Sequence, residues 1–169
     1  MSFQRLKNFF KSWVNKLKRN NIPTYFQPSE NIVRAIFSPI NLKKNGALNN
    51  NAFKPPAGLD EISVNRLSLT SIDFCKTHSK KIENVEQDRS YHGFANLTVQ
   101  EIHKVNCSIV YSPLPDNLFH ADIQIGFIPQ KGKPLPAEYQ YKVQMLAKTS
   151  RFYIDPNPQS NIWTGGNII

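Results

Sequence analysis

Between residues 119 and 125 the chain alternates strictly. Phe119, Ala121, Ile123 and Ile125 are apolar, and His120, Asp122 and Gln124 between them are polar. A period of two fits an extended strand with one face on a core, so a sheet must form. Further strands are predicted for Ile32–Phe37, closed by Ser38-Pro39, for Ile62–Leu69, for Gly93–Leu97, for Ser108–Tyr111 and for Arg151–Ile154. Helices interrupt them. Thr70 as cap, with Asp73 three residues on, predicts a helix to about Ile82, and Thr98 with Glu101 predicts a short one through Val105. Pro136 stands at the first position of a helix running to about Lys148. The stretch from Asn41 to Asp60, with Asn49-Asn50-Asn51 and Pro55-Pro56, is a long loop of the kind that carries function or moves. Interspersed strands and helices, with a polar-faced strand among them, predict a single α+β domain over residues 32–154, a mixed sheet with flanking helices. Its 169 residues, 40% of them hydrophobic, suit one domain with a real core. No apolar run approaches the roughly 18–20 residues that cross a bilayer.

The formal charge of +9 is unevenly placed. Residues 1–54 hold ten basic side chains against Glu30 alone, whereas residues 55–169 hold 11 basic and 11 acidic groups. Six of the ten cations (Arg5, Lys7, Lys11, Lys16, Lys18 and Arg19) fall between Phe3 and Arg19, where there is no acid. Phe3, Leu6, Phe9, Phe10, Trp13, Val14 and Leu17 recur there at helical spacing and occupy one sector. The reading is a basic amphipathic helix over residues 1–21, a linker over 22–31, the domain, and an extended C-terminal tail over 155–169. The apolar residues are periodic rather than continuous, which argues against a secretory signal and for a cytoplasmic protein. Such a helix packs on its own domain, docks on a partner protein through Phe10 and Trp13, meets nucleic-acid phosphates through its cations, or lies on a membrane surface. Lys43 and Lys44 extend the same basic region.

No phosphate loop, dinucleotide glycine motif or nucleophile elbow occurs. Cys75 and Cys107 read as small buried hydrophobes. His120-Ala121-Asp122 has the His-x-Asp spacing of an iron triad, but no later histidine supplies the third ligand, so no metal and no cofactor are expected. Arg34 and Arg66 stand inside strands, where a guanidinium needs an ion pair or a cleft. In the sharper reading both enter one pocket and hold a phosphate or carboxylate bidentately. His92 and His120 would add groups that titrate near neutrality. His78 and His103 read as structural.

Val33-Arg34-Ala35-Ile36, Gly46, Ala52-Phe53-Lys54-Pro55, Leu59 and Ile62-Ser63-Val64-Asn65-Arg66 together resemble a family of small uncharacterised bacterial proteins. That family shows an Arg-containing strand, an Ala-Phe element and a Ser-Val-x-Arg strand. Pro113–Asn117 with His120-Ala121 fits the same pattern, so the resemblance spans about residues 33–125. It implies a coherent fold and a bacterial source, and assigns no activity. An arginine-led first strand is also similar to that of ADP-ribosyltransferases, but a Ser-Thr-Ser strand and a catalytic Glu element are not matched. The leading expectation is a non-enzymatic subunit of a bacterial multi-protein assembly, of the anti-phage defence kind, docking through its basic helix on a partner protein or nucleic acid. The competing expectation is an enzyme acting on RNA or NAD through Arg34, Arg66, His92 and His120.

Overall fold

The structure, a computed structural model, describes residues 21–83 and 89–169. The predicted basic helix and its contact residues therefore lie outside the described residues. Along the chain run β1 (Asn31–Ser38), β2 (Ile62–Arg66), α1 (Ile72–Lys80), β3 (Ser90–Thr98), α2 (Val99–Lys104), β4 (Ser108–Tyr111), β5 (His120–Gln124), α3 (Ala137–Thr149) and β6 (Arg151–Ile154). The α+β domain is thus confirmed. The six strands form one sheet in the order β4-β5-β2-β1-β3-β6.

Every neighbouring pair is antiparallel, where a mixed sheet was expected. The reason is topological. The α1 crossover joins β2 to β3, which run in the same direction, but β1 lies between them and opposes both. The parallel relation exists without a parallel ladder.

The sheet buries both faces. On one, Ile32, Ile36, Val64, Leu97 and Ile123 pack with Ile102 of α2 and with Val143 and Leu146 of α3. On the other, Val33, Phe37, Tyr91 and Phe94 pack with Cys75 and Ile72 of α1 and with Trp163 and Ile168 of the final segment. Burying an aliphatic or aromatic side chain contributes about 1.5–3 kcal/mol each, so both layers hold the domain together. The residues after 154 are consequently part of the second core rather than a free extension. β6 approaches β3 so closely at Gly93 that a Cβ there would lie 2.2 Å from the Tyr153 carbonyl oxygen. Only glycine fits that crossing.

Local signals hold in most places and shift in a few. Thr98 and Glu101 form the capping box of α2, each side chain meeting the other's backbone N–H. At α1, Ser71 rather than Thr70 is the cap and accepts from the Phe74 amide at 3.1 Å. Asp73 instead accepts from the Trp163 amide at 2.6 Å, because the final segment crosses this helix end and needs an acceptor. Pro136 caps α3 from the position before its first turn.

Two buried ion pairs tie the terminal segments down. Arg66 donates from Nε to Glu30 Oε1 at 2.6 Å and from Nη2 to Glu30 Oε2 at 2.9 Å. Nη2 also reaches the Tyr25 carbonyl at 2.8 Å, and Nη1 the Pro23 carbonyl. The Arg66 guanidinium lies 4.1 Å from the Phe26 ring centroid. Lys76 meets Asp155 at 2.8 Å, both side chains fully buried, and donates to the carbonyls of Asn157 and Ile162 at 2.8 and 2.7 Å.

Candidate anion-binding site

β1 and β2 pair only at Ile32–Arg66 and Val33–Asn65, while β1 stays paired with β3 to Ser38. Where the two strands part, side chains supply the hydrogen bonds that the ladder no longer makes. Arg34 donates from Nε to the Ala52 carbonyl at 2.8 Å and from Nη1 to the Ser63 carbonyl at 3.1 Å. The Asn41 side chain accepts from the Phe37 amide at 3.0 Å. The long loop predicted over residues 41–60 folds back over this wedge, with Phe53 beneath the Arg34 guanidinium at 5.6 Å.

A cavity of about 510 Å³ results. Its charged lining is Arg34, Arg89 and Lys54 against Glu61, three cations to one carboxylate. Phe37, Ile40, Leu59, Ile82 and Pro55-Pro56 form apolar walls. Its volume is within the range of sites that hold a small molecule.

The electrostatics are unbalanced. Burial, and then the nearby Arg89, push the pKa of the Arg34 guanidinium down to about 10, with Asp122 opposing the shift. It remains a cation at neutral pH. Neither Arg34 nor Arg89 makes an ion pair among the described residues. Arg89 lies over Phe37 at 4.5 Å, and its buried Nε has no hydrogen-bond partner there. Two guanidiniums thus share one partly desolvated pocket, each with donors in hand.

The four candidates from sequence do not converge. Arg34 enters the pocket, but Arg66 is committed to Glu30 and the carbonyls of residues 23 and 25. His92 lies on β3 and stacks on Phe152 of β6 at 6.3 Å. The second arginine of the pocket is Arg89, just before β3. Nothing local in the sequence marks it, because its meeting with Arg34 depends on the β1–β3 pairing.

His120 belongs to a separate polar group on the face that carries Ser63. Its Nδ1 lies 2.8 Å from the Ser112 carbonyl oxygen, a contact that requires the proton on Nδ1. The Ser112 hydroxyl is 3.0 Å from the same nitrogen and donates to Asp122 Oδ2. One ring nitrogen thus serves both serine contacts, and the carboxylate takes the serine proton directly. That arrangement differs from a Ser-His-Asp relay, in which the imidazole stands between the other two. The alternating strand was read with its polar residues on an open face. His120 and Asp122 are instead buried, at 8% and 6% exposure.

His78 lies beside Asp116, its Nδ1 3.8 Å from Oδ2. Burial lowers its pKa, with Asp116 opposing the shift. Lys81 hydrogen-bonds Asp116 at 3.0 Å and, as the largest cause, holds that carboxyl below its usual value. Cys75 and Cys107 are buried free thiols. Among the described residues no cluster of His, Cys, Asp or Glu could hold a metal ion, and no helix is long and apolar enough to cross a membrane. Comparison with protein-family models, curated proteins and solved structures returns no significant match.

Proposed function

We propose that the chain is a non-enzymatic binding module for a ligand bearing a phosphate or carboxylate group, which it holds between Arg34 and Arg89. The observation that supports this reading is the pair of guanidiniums in one cavity, neither of them in an ion pair among the described residues. An anion there would relieve the repulsion between the two cations and take their remaining donors. Charge-assisted hydrogen bonds of this kind contribute about 1.5–3 kcal/mol each. The cation-rich leading segment, together with Lys43 and Lys44, forms the attachment region of the same module. It raises the local concentration of an anionic partner, an effect that weakens with salt.

Titration calorimetry with inorganic pyrophosphate tests the pocket. Arg34→Lys and Arg89→Ala each weaken binding by about 10-fold or more, while Arg151→Ala, outside the pocket, leaves it unchanged. Charge reversal at Lys7, Lys11 and Lys16 weakens binding of a polyanion such as heparin and spares pyrophosphate. Equal pyrophosphate affinity in all the arginine variants would refute the assignment.

A further inference from the structure

We infer that the ligand of this pocket is a nucleoside phosphate, its ring on the apolar wall and one N–H or O–H given to Asp122. The inference rests on the anion-site reading and extends it from the charged group to the rest of the molecule.

Ser63 lines the cavity and stands opposite Asp122 in the β2–β5 register. Directly opposed residues of an antiparallel pair point to the same face with Cβ atoms about 4.5–5.5 Å apart, so Asp122 is the cavity's next neighbour along the sheet. Asp122 is 94% buried by its 6% exposure. Its Oδ2 receives the Ser112 hydroxyl, but its buried Oδ1 has no donor among the described residues. His120 Nδ1, 3.8 Å from Oδ2, already faces the Ser112 carbonyl. A buried carboxylate oxygen without a donor is rare in folded proteins and marks a place where a donor from outside belongs. Beside a pair of arginines, that donor must be carried by a molecule that is itself anionic.

The walls decide what else the molecule carries. Ile40, Leu59 and Ile82, all exposed, would stay wet around an inorganic anion or a sugar phosphate, whereas a planar heterocycle covers them. Arg89 already lies over the Phe37 ring, its guanidinium carbon 4.5 Å from the centroid, and offers a further surface for a ring to meet. A nucleoside phosphate combines the anion, the ring and the N–H or ribose hydroxyl donor in one molecule. The cavity volume of about 510 Å³ accommodates it.

Calorimetry with the full chain, using pyrophosphate, ribose 5-phosphate and the four nucleoside monophosphates, tests this. The nucleotide that binds tightest exceeds ribose 5-phosphate by about 10-fold or more, and Asp122→Ala removes about 10-fold of that preference while pyrophosphate binds as well as before. Asp122→Asn, which keeps an acceptor, retains more of the preference than Asp122→Ala. Should Asp122→Ala fail to fold, the ranking of ligands on the unaltered chain decides by itself. If pyrophosphate binds through Arg34 and Arg89 and the nucleotides gain nothing over ribose 5-phosphate, this inference falls and the anion site stands. If no anion binds, both fall.

Discussion

Replacing Arg66 by methionine removes one half of an ion pair that water hardly reaches, with side chains 1% and 5% exposed. Glu30 would keep a buried carboxylate with neither of its two guanidinium hydrogen bonds, at 2.6 and 2.9 Å in the native chain. The carbonyls of Pro23 and Tyr25 would lose their donors as well. Breaking a buried pair from one side costs about 3–5 kcal/mol, against a total stability of about 5–15 kcal/mol for a domain. At about 2–4 °C per kcal/mol for a chain of this size, the melting temperature falls by roughly 6–20 °C. Glu30→Met should cost a similar amount, because it strands the guanidinium instead. The double variant leaves no buried charge, so it loses much less than the two single changes together, with a coupling on the order of 3 kcal/mol. Urea denaturation followed by circular dichroism measures all four corners of this cycle. Simple additivity would show that the pair is not coupled, and the account of how residues 21–30 are anchored would be wrong.

Lys76→Met leaves Asp155 buried without its 2.8 Å partner, so a loss of about 3–5 kcal/mol is expected. Faster amide exchange should appear first in residues 155–163, whose carbonyls Lys76 holds. Burial pushes the Cys75 thiol from 9.0 up to about 12. The unfolded chain therefore ionises this thiol first, so its contribution to stability is complete below pH 9 and is lost as pH rises towards 12. Cys75→Ala should flatten the alkaline limb of a stability profile. In the native protein at pH 8, a thiol reagent should react with Cys75 only as fast as the domain opens.

The elements were legible because their signals are local. The alternation from Phe119 to Ile125 marks β5, and Thr98 with Glu101 marks the start of α2, each within a few residues. Boundaries slipped where a distant segment intervened. Asp73 would have completed a capping box in isolation, but it accepts from Trp163, 90 residues away. The same contrast governs the site. Arg34 was recognisable from its own strand, since a guanidinium among apolar neighbours needs a partner or a cleft. Arg66 met the same criterion, yet its carboxylate lies 36 residues back, and no spacing rule connects them.

What the sequence determined by itself was the type and approximate extent of the strands and helices among the described residues, together with the concentration of positive charge in the first 54 residues. Both follow from periodicity, capping and composition, which act over one or two turns of chain. The tertiary structure alone decided the strand order, the burial of the polar face of β5, and which arginine stands beside Arg34. Those depend on β1 entering between β2 and β3. That insertion sets the wedge, brings Arg89 to it and leaves Ser63 beside Asp122, and it reflects a balance of long-range burial that no short stretch of residues encodes.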